Sequence, residues 1–289
     1  MTQRTVTVRI NTKRQRFPQG ITLVQLARES FPAADVLIVN GFPENPQYVV
    51  KDGDRITLIQ KGRVPAPAEL ETLLTARHSP GVYERVRKAV IGIAGLGGLG
   101  SAVAISLART GIGRLIIADF DVVEPSNLNR QQYLMKHLGM AKTEAMKELL
   151  AEINPSVNVT AFQRKLSPRN IRGAFRAADI IVECFDEAPA KSWLLGAVLE
   201  SLPQTYLILA SGVAGFGDSN AVRTWRMGER TFIVGDLSRA AGPGQGLMAP
   251  RVGIAANHQA NLVISLLISP DKAREETVDI LDKSPWPSR

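Results

Sequence analysis

The chain has 289 residues, 45% of them hydrophobic and 21% charged, with a formal net charge of +8. A chain of this length and balance can bury a substantial core without disulfides, as one large domain or as a domain plus a smaller one. Its single cysteine, Cys184, excludes an intramolecular disulfide and any multi-cysteine zinc cage, and its scattered basic residues with only 6% aromatics give no nucleic-acid signature.

The excess positive charge points instead to an acidic partner surface or a polyphosphate substrate, beyond what is plain solvated surface. The N-terminal residues contain no apolar signal core, which reads as a cytoplasmic protein. Residues 1–63 form a small α+β unit on this reading. Residues 5–10 alternate as a half-buried strand, and residues 22–30 have helical apolar spacing with Thr22 as N-cap. Residues 36–40 and 55–60 read as strands, the second entered through the turn at 51–54. Residues 61–68 hold two prolines and no periodicity, so 64–76 is assigned to a linker and the start of a helix, expected over 69–77.

From residue 77 to 289 strand and helix alternate. Strands are expected leading into Gly95 and at 115–119, 157–162, 180–184 and 206–211; helices at 101–110, 142–153 and 191–202. This order predicts an α/β domain, a doubly wound and mostly parallel Rossmann-like sheet with helices on both faces. Residues 222–227 and 231–234 read as an antiparallel pair, and 242–246 (GPGQG) as a flexible loop. The long apolar helix at 251–268 is interrupted by Arg251, Asn257, His258, Gln259 and Asn261, which excludes a membrane span.

The chemistry concentrates after the first strand of this domain. Gly95-Leu96-Gly97-Gly98-Leu99-Gly100 follows an apolar strand and opens a helix. Glycines there permit a tight turn and let backbone N–H groups approach a phosphate at the positive end of the helix. Asp119 ends the next strand, where a carboxylate can accept hydrogen bonds from ribose hydroxyls. These features alone suit a nicotinamide dehydrogenase and an ATP-using enzyme equally. The following run, which holds Asp121, Asn127, Arg130 and Gln131, favours ATP: attack on an α-phosphate develops negative charge, and Arg130 and Lys142 can meet it. Asn127 can reach phosphate or ribose. Asp186, just past the strand at 180–184, can hold Mg²⁺ against the phosphates. Taken singly, Arg130 and Lys142 read as surface charges, Asn127 as a turn residue and Asp186 as a turn former or helix cap. Their joint order is what speaks for function.

With these motifs in place the chain resembles the ThiF/MoeB/HesA family, bacterial relatives of ubiquitin-activating enzymes. GLGGLGS at 95–101, DFDVVEPSNLNRQ at 119–131 and the Gly-x-x-Lys of Gly139 to Lys142 carry the resemblance, over roughly residues 77–268. It implies ATP-dependent adenylation of the C-terminal carboxylate of a ThiS-like sulfur-carrier protein ending in Gly-Gly, in thiamin biosynthesis. It also implies ribose binding at Asp119, phosphate binding at Arg130 and Lys142, Mg²⁺ at Asp186, and a homodimer. A second arginine reaching in from the dimer mate is expected, with Arg77 as the candidate. The four-cysteine zinc site of many relatives is absent: with Cys184, His78, His137 and His258 no zinc site of standard ligand count can be assembled. Cys184 ends a buried strand and reads as a core residue, so the chemistry stops at the acyl-adenylate and sulfur arrives from another protein.

Residues 4–63 resemble the β-grasp carrier ThiS, most clearly at VKDGDRITLI (50–59). A working carrier ends in a flexible Gly-Gly; here Lys61-Gly62-Arg63-Val64-Pro65 runs on, which leaves a docking or structural domain that has lost the carrier role. A nicotinamide oxidoreductase, a non-catalytic nucleotide-binding regulator, and an adenylating enzyme acting on another carrier, a peptide or a small molecule are the other readings.

Overall fold

Residues 5–10 alternate because the strand they form, β1 (Thr5–Ile10), covers a core with one face: Val6, Val8 and Ile10 are buried and Thr5 and Arg9 exposed. In the computed structural model, which describes residues 4–78 and 81–280, the chain divides into two units, Met1–Glu84 and Arg85–Arg289. Residues 1–3 and 281–289, the outer ends of the two expected domains, and Ser79 and Pro80 lie outside the described residues.

In the first unit β1 pairs with an antiparallel β2 (Lys13–Pro18) and a parallel β5 (Arg55–Ile59). The sheet order is β2-β1-β5-β3-β4, with β3 Val36–Val39 and β4 Phe42–Pro43. The sequence reading missed β2 because KRQRFP has no apolar alternation; it is an edge strand that buries only Phe17. Helix α1 (Leu23–Ser30) starts as expected, with Thr22 and Gln25 forming a reciprocal capping box. Leu23 and Leu26 meet Val8, Ile56 and Leu58 in the core. The turn before β5 is tied by Asp54, 5% exposed, whose carboxylate accepts from Asn40, Tyr48 and the Lys51 N–H. Helix α2 (Pro67–Leu74) begins inside the expected linker, because Pro67 sits at its first position, where a missing N–H costs nothing. It stops three residues before the expected end, and the short α3 (Val82–Val86) follows.

The second unit is built on an eight-stranded sheet of order β13-β11-β12-β10-β9-β6-β7-β8. Its core strands are β6 (Val90–Ala94), β7 (Arg114–Asp119), β8 (Asn158–Gln163), β9 (Ile180–Glu183) and β10 (Tyr206–Ala210), all parallel. β12 (Thr231–Gly235) extends them in parallel, and β11 (Arg223–Arg226) pairs with it antiparallel, as the sequence predicts. A two-residue β13 (Val278–Asp279) closes the edge. The connecting helices are α4 (Gly98–Arg109), α5 (Lys142–Ile153), α6 (Ile171–Phe175), α7 (Ala188–Ser201), α8 (Ala249–Ile268) and α9 (Pro270–Glu275). Phe175 of α6 and Leu194 and Val198 of α7 pack against Ile116, Ile181 and Leu207, while α4 packs with α5 and α8.

Of the boundaries that differ from expectation, three bear on the loops of the second unit. α4 opens at Gly98 rather than at residue 101, so the last glycines of the motif are already helical. α7 begins at Ala188 rather than at 191, with Pro189 in its first turn. β9 ends at Glu183, which puts Cys184 in the loop beyond it. α6, α9 and β13 were not foreseen, being too short to show a period. Among the described residues no helix is long and apolar enough to cross a membrane.

Candidate functional site

The strand order places β6 and β9 side by side although about ninety residues separate them, so their following loops turn to opposite sides of one crevice. Gly95 makes this packing possible. Its φ is +94°, and a Cβ there would stand 2.9 Å from the Cys184 carbonyl oxygen. Gly100 is tighter still: a Cβ would lie 1.9 Å from the Gly95 oxygen. Leu99, 7% exposed, anchors the turn from the apolar side.

Gly97 is the N-cap of α4, and no side chain caps the helix. The N–H groups of its first turn have no helical acceptor and face outward as a ready anion cradle. Around Gly97 there is room: a Cβ would meet nothing closer than Gln131 Nε2 at 3.9 Å. Gln131 is 6% exposed, and its Oε1 is buried without a partner among the described residues. A cradle lined by an unsatisfied amide is what a polar ligand would complete.

Asp119, 9% exposed, stands at the end of β7 as predicted. Its Oδ2 accepts from the Leu96 N–H at 2.6 Å and its Oδ1 from the Asp121 N–H at 2.8 Å, so it braces the glycine loop itself. Burial raises its pKa, opposed by those two N–H bonds and by Lys142. Lys142, the first residue of α5, is 6% exposed; its Nζ lies 2.9 Å from Asp121 Oδ2, and its N–H donates to the Asp121 oxygen at 2.9 Å. Tyr133 adds a strut the sequence reading did not single out: its hydroxyl donates to the Leu96 oxygen at 2.9 Å.

Arg130 packs its backbone and Cγ beside Gly98, while its guanidinium donates to the Ser126 oxygen at 3.0 Å and Asn129 Oδ1 at 2.9 Å. Asn127 is 8% exposed, and its Oδ1 accepts from the Glu124 N–H at 3.2 Å, a turn-capping bond. Asp186 is exposed in the loop between β9 and α7, with no hydrogen bond or ion pair among the described residues. All of these residues belong to the second unit. Arg77 is exposed in the turn after α2 and belongs to the first.

Beneath the Asp186 loop lies a buried network that sequence reasoning missed. Glu183 is fully buried, and its carboxylate meets Lys191 Nζ at 2.8 Å and the N–H groups of Phe185 and Ala210 at 2.6 and 3.2 Å. Gln259 of α8, also fully buried, donates to the Glu183 carbonyl at 3.1 Å. A glutamate ending an apolar strand, eight residues before a lysine, was the available signal.

Cys184 is 6% exposed, and burial pushes its thiol pKa up, assisted by the neighbouring Glu183. It is buried, as expected of a core residue, in surroundings that disfavour a thiolate. Native protein is expected to resist iodoacetamide and to take up one label only after unfolding. Stoichiometric labelling at pH 8 without loss of structure would contradict this. Among the described residues there is no group of three or more His, Cys, Asp or Glu side chains placed to hold a metal ion.

A doubly wound sheet with a glycine-rich helix start at the point where strand order reverses, and an acid at the end of the second strand, defines a nucleotide-binding domain. The chain belongs to the ThiF family, whose model matches residues 71–282; residues 6–62 match the ThiS-like ubiquitin model. It is 33% identical over 184 residues to the sulfur carrier protein ThiS adenylyltransferase of Escherichia coli, covering 61% of this chain and 70% of that one. It is also 33% identical over 179 residues to the adenylyltransferase and sulfurtransferase UBA4 of Yarrowia lipolytica, covering 61% of this chain but only 45% of that enzyme. Among solved structures, the Escherichia coli tRNA N6-threonylcarbamoyladenosine dehydratase TcdA shares the fold, with a TM-score of 0.61 at 21% identity over 70% of this chain and 94% of that one.

Proposed function

We propose that this chain uses ATP to adenylate the C-terminal carboxylate of a separate ThiS-like carrier protein ending in Gly-Gly, releasing pyrophosphate. The observation that carries this reading is the cradle at Gly97, bordered by Gln131 and set on the same loop that Asp119 braces and that Lys142 and Arg130 flank. The relatives named for carrier adenylation supply the substrate class.

In this reading the ribose hydroxyls donate to the carboxylate of Asp119, which keeps lone pairs beyond its two backbone bonds. The phosphates lie along the first turn of α4. The carrier carboxylate attacks the α-phosphorus, and the bond to pyrophosphate breaks. Lys142 and Arg130 offset the charge that develops there, Arg130 by turning its guanidinium from Ser126 and Asn129 to the phosphates. Asp186 is the residue that would hold Mg²⁺, an exposed carboxylate past β9 with a hard-oxygen donor and no competing partner among the described residues. Bound there, the ion would neutralise phosphate charge. Cys184 cannot accept the activated acyl group, so a sulfur donor outside this chain must. The homodimer and the role of Arg77 belong to the same proposal.

The first unit is not the substrate in this account. Past Gly62 the chain continues through Arg63 and Val64 into α2, so no free carboxylate exists there. Mass spectrometry after incubation with ATP, Mg²⁺ and a carrier should find the adenylate on the carrier's last glycine. Modification of residues 1–65 of this chain would overturn the reading. Pyrophosphate exchange with a panel of carriers, peptides and small carboxylates tests the substrate class, and thiamin-pathway ThiS is the carrier expected to stimulate it. Asp186→Asn should abolish carrier-dependent exchange yet leave ATP binding weakened but measurable, because the adenosine contacts remain. Normal turnover of that variant with Mg²⁺ would move the metal role elsewhere.

A further inference from the structure

The parallel strands have a second end, and it is not featureless. The turns that lead into β9 and β10, the β11–β12 turn and the end of α8 border an open cavity of about 480 Å³, lined by Arg176, Asp179, Gln204, Tyr206 and Arg230 with Leu267 at its wall. It lies at the start of β9, whereas the glycine loop meets the chain just past the end of that strand. Four residues of strand separate the two, roughly 13 Å.

Donors dominate this cavity. Arg230 stacks its guanidinium 4.9 Å from the centre of the Tyr206 ring and spends one N–H on the Gln204 oxygen at 3.1 Å. Arg274 approaches the same ring at 5.9 Å and donates to the Tyr206 hydroxyl at 2.8 Å. That hydroxyl, already accepting, has its own proton left to give. Arg274 Nε is buried without a partner among the described residues. Arg176 is exposed and has no ion pair among them. The counter-charges are Asp179, which turns one oxygen to the Val90 N–H at 2.8 Å, Asp271, paired with Arg274 and 88% exposed, and Glu229, which acts on Arg274 from the β11–β12 turn. Guanidinium groups braced on an aromatic ring are preorganised for a planar or tetrahedral oxyanion, and phosphate is the anion they fit in more than one donor geometry.

We propose that this cavity is a second anion-binding site, distinct from the nucleotide crevice, that takes a small phosphate-bearing ligand between Arg176, Arg230 and the Tyr206 hydroxyl. The volume lies in the lower range of ligand pockets and suits a mononucleotide or a bare polyphosphate. The two sources share the phosphate chemistry and differ only in whether a nucleoside adds contacts with the apolar wall.

The test uses the full chain with its glycine-loop site saturated by a non-hydrolysable ATP analogue, so that any further binding is elsewhere. Calorimetric titration with inorganic pyrophosphate, and separately with AMP, should show one additional event. Arg176→Ala combined with Arg230→Ala should weaken that event about 10- to 100-fold, the effect of removing charged donors. Tyr206→Phe, which keeps the ring and removes the proton, should weaken it less. Tighter binding of AMP than of pyrophosphate would identify a nucleoside phosphate as the ligand, and equal binding the phosphate alone. Absence of the additional event in the parent protein, or its survival unchanged in the double variant with native melting temperature, would overturn the proposal.

Discussion

Replacing Lys142 by alanine is expected to lower carrier-dependent pyrophosphate exchange by about 100- to 1000-fold, the usual effect of removing one preorganised charged donor from a group-transfer site. The structure separates this loss from a folding defect. The backbone N–H of residue 142 still donates to the Asp121 oxygen in the variant, and alanine is the best helix former for the first turn of α5. The ammonium group, held 2.9 Å from Asp121 Oδ2, is lost together with the buried methylenes that carry it. Asp121 has a side chain 45% exposed and can be solvated when its partner goes. Exchange should therefore fall far more than the melting temperature. An exchange rate within tenfold of the parent would show that the charge at the α-phosphate is met from another side chain, with Arg130 the first to examine.

A second large effect is expected from Lys191→Met, and here on stability. Glu183 has no exposed surface and keeps only two N–H donors once the lysine is gone. Breaking a buried pair from one side leaves an uncompensated charge, at a cost of about 3–5 kcal/mol. Burial already raises the Glu183 pKa, with Lys191 the main opposing influence, so the variant must raise it further. The folded state then holds a proton that the unfolded chain releases near the ordinary glutamate value. Stability is therefore lost as pH rises from that value through the raised folded-state pKa, and it is recovered as pH falls. Thermal melts should show the variant closest to the parent near pH 5 and furthest from it near pH 8. A gap independent of pH would mean that lost packing, not buried charge, is responsible. Because the Asp186 loop rests on Glu183 through Phe185, exchange should fall along with stability.

The site was legible in the sequence where its parts are local. The glycine motif, Asp119, Lys142 and the N-cap Thr22 each announce themselves within a few residues, through a turn that only glycine fits or a cap at the head of a helical period. The extent of α5 was readable for the same reason: Lys142–Ile153 has its own apolar stripe and stops before a proline. Where the signal was weak, so was the reading. β2 and α6 were passed over because an edge strand of basic residues and a five-residue helix have too little period to show.

What the sequence determined by itself was most of the longer elements, the mostly parallel α/β class and the residue types available to a nucleotide. Period, glycine and capping act over distances of a turn or a strand, and a single stretch of chain contains them whole. Only the tertiary structure decided that β9 lies beside β6, and with it that Cys184 backs the Gly95 turn and that Glu183 is sealed against Gln259 of α8. The same strand order brought Arg176, Tyr206 and Arg230 around one cavity from three separate turns. Strand neighbours are chosen by burying both faces of a sheet under helices that arrive from far along the chain. The free energy that selects them resides in contacts between segments, which no one segment records.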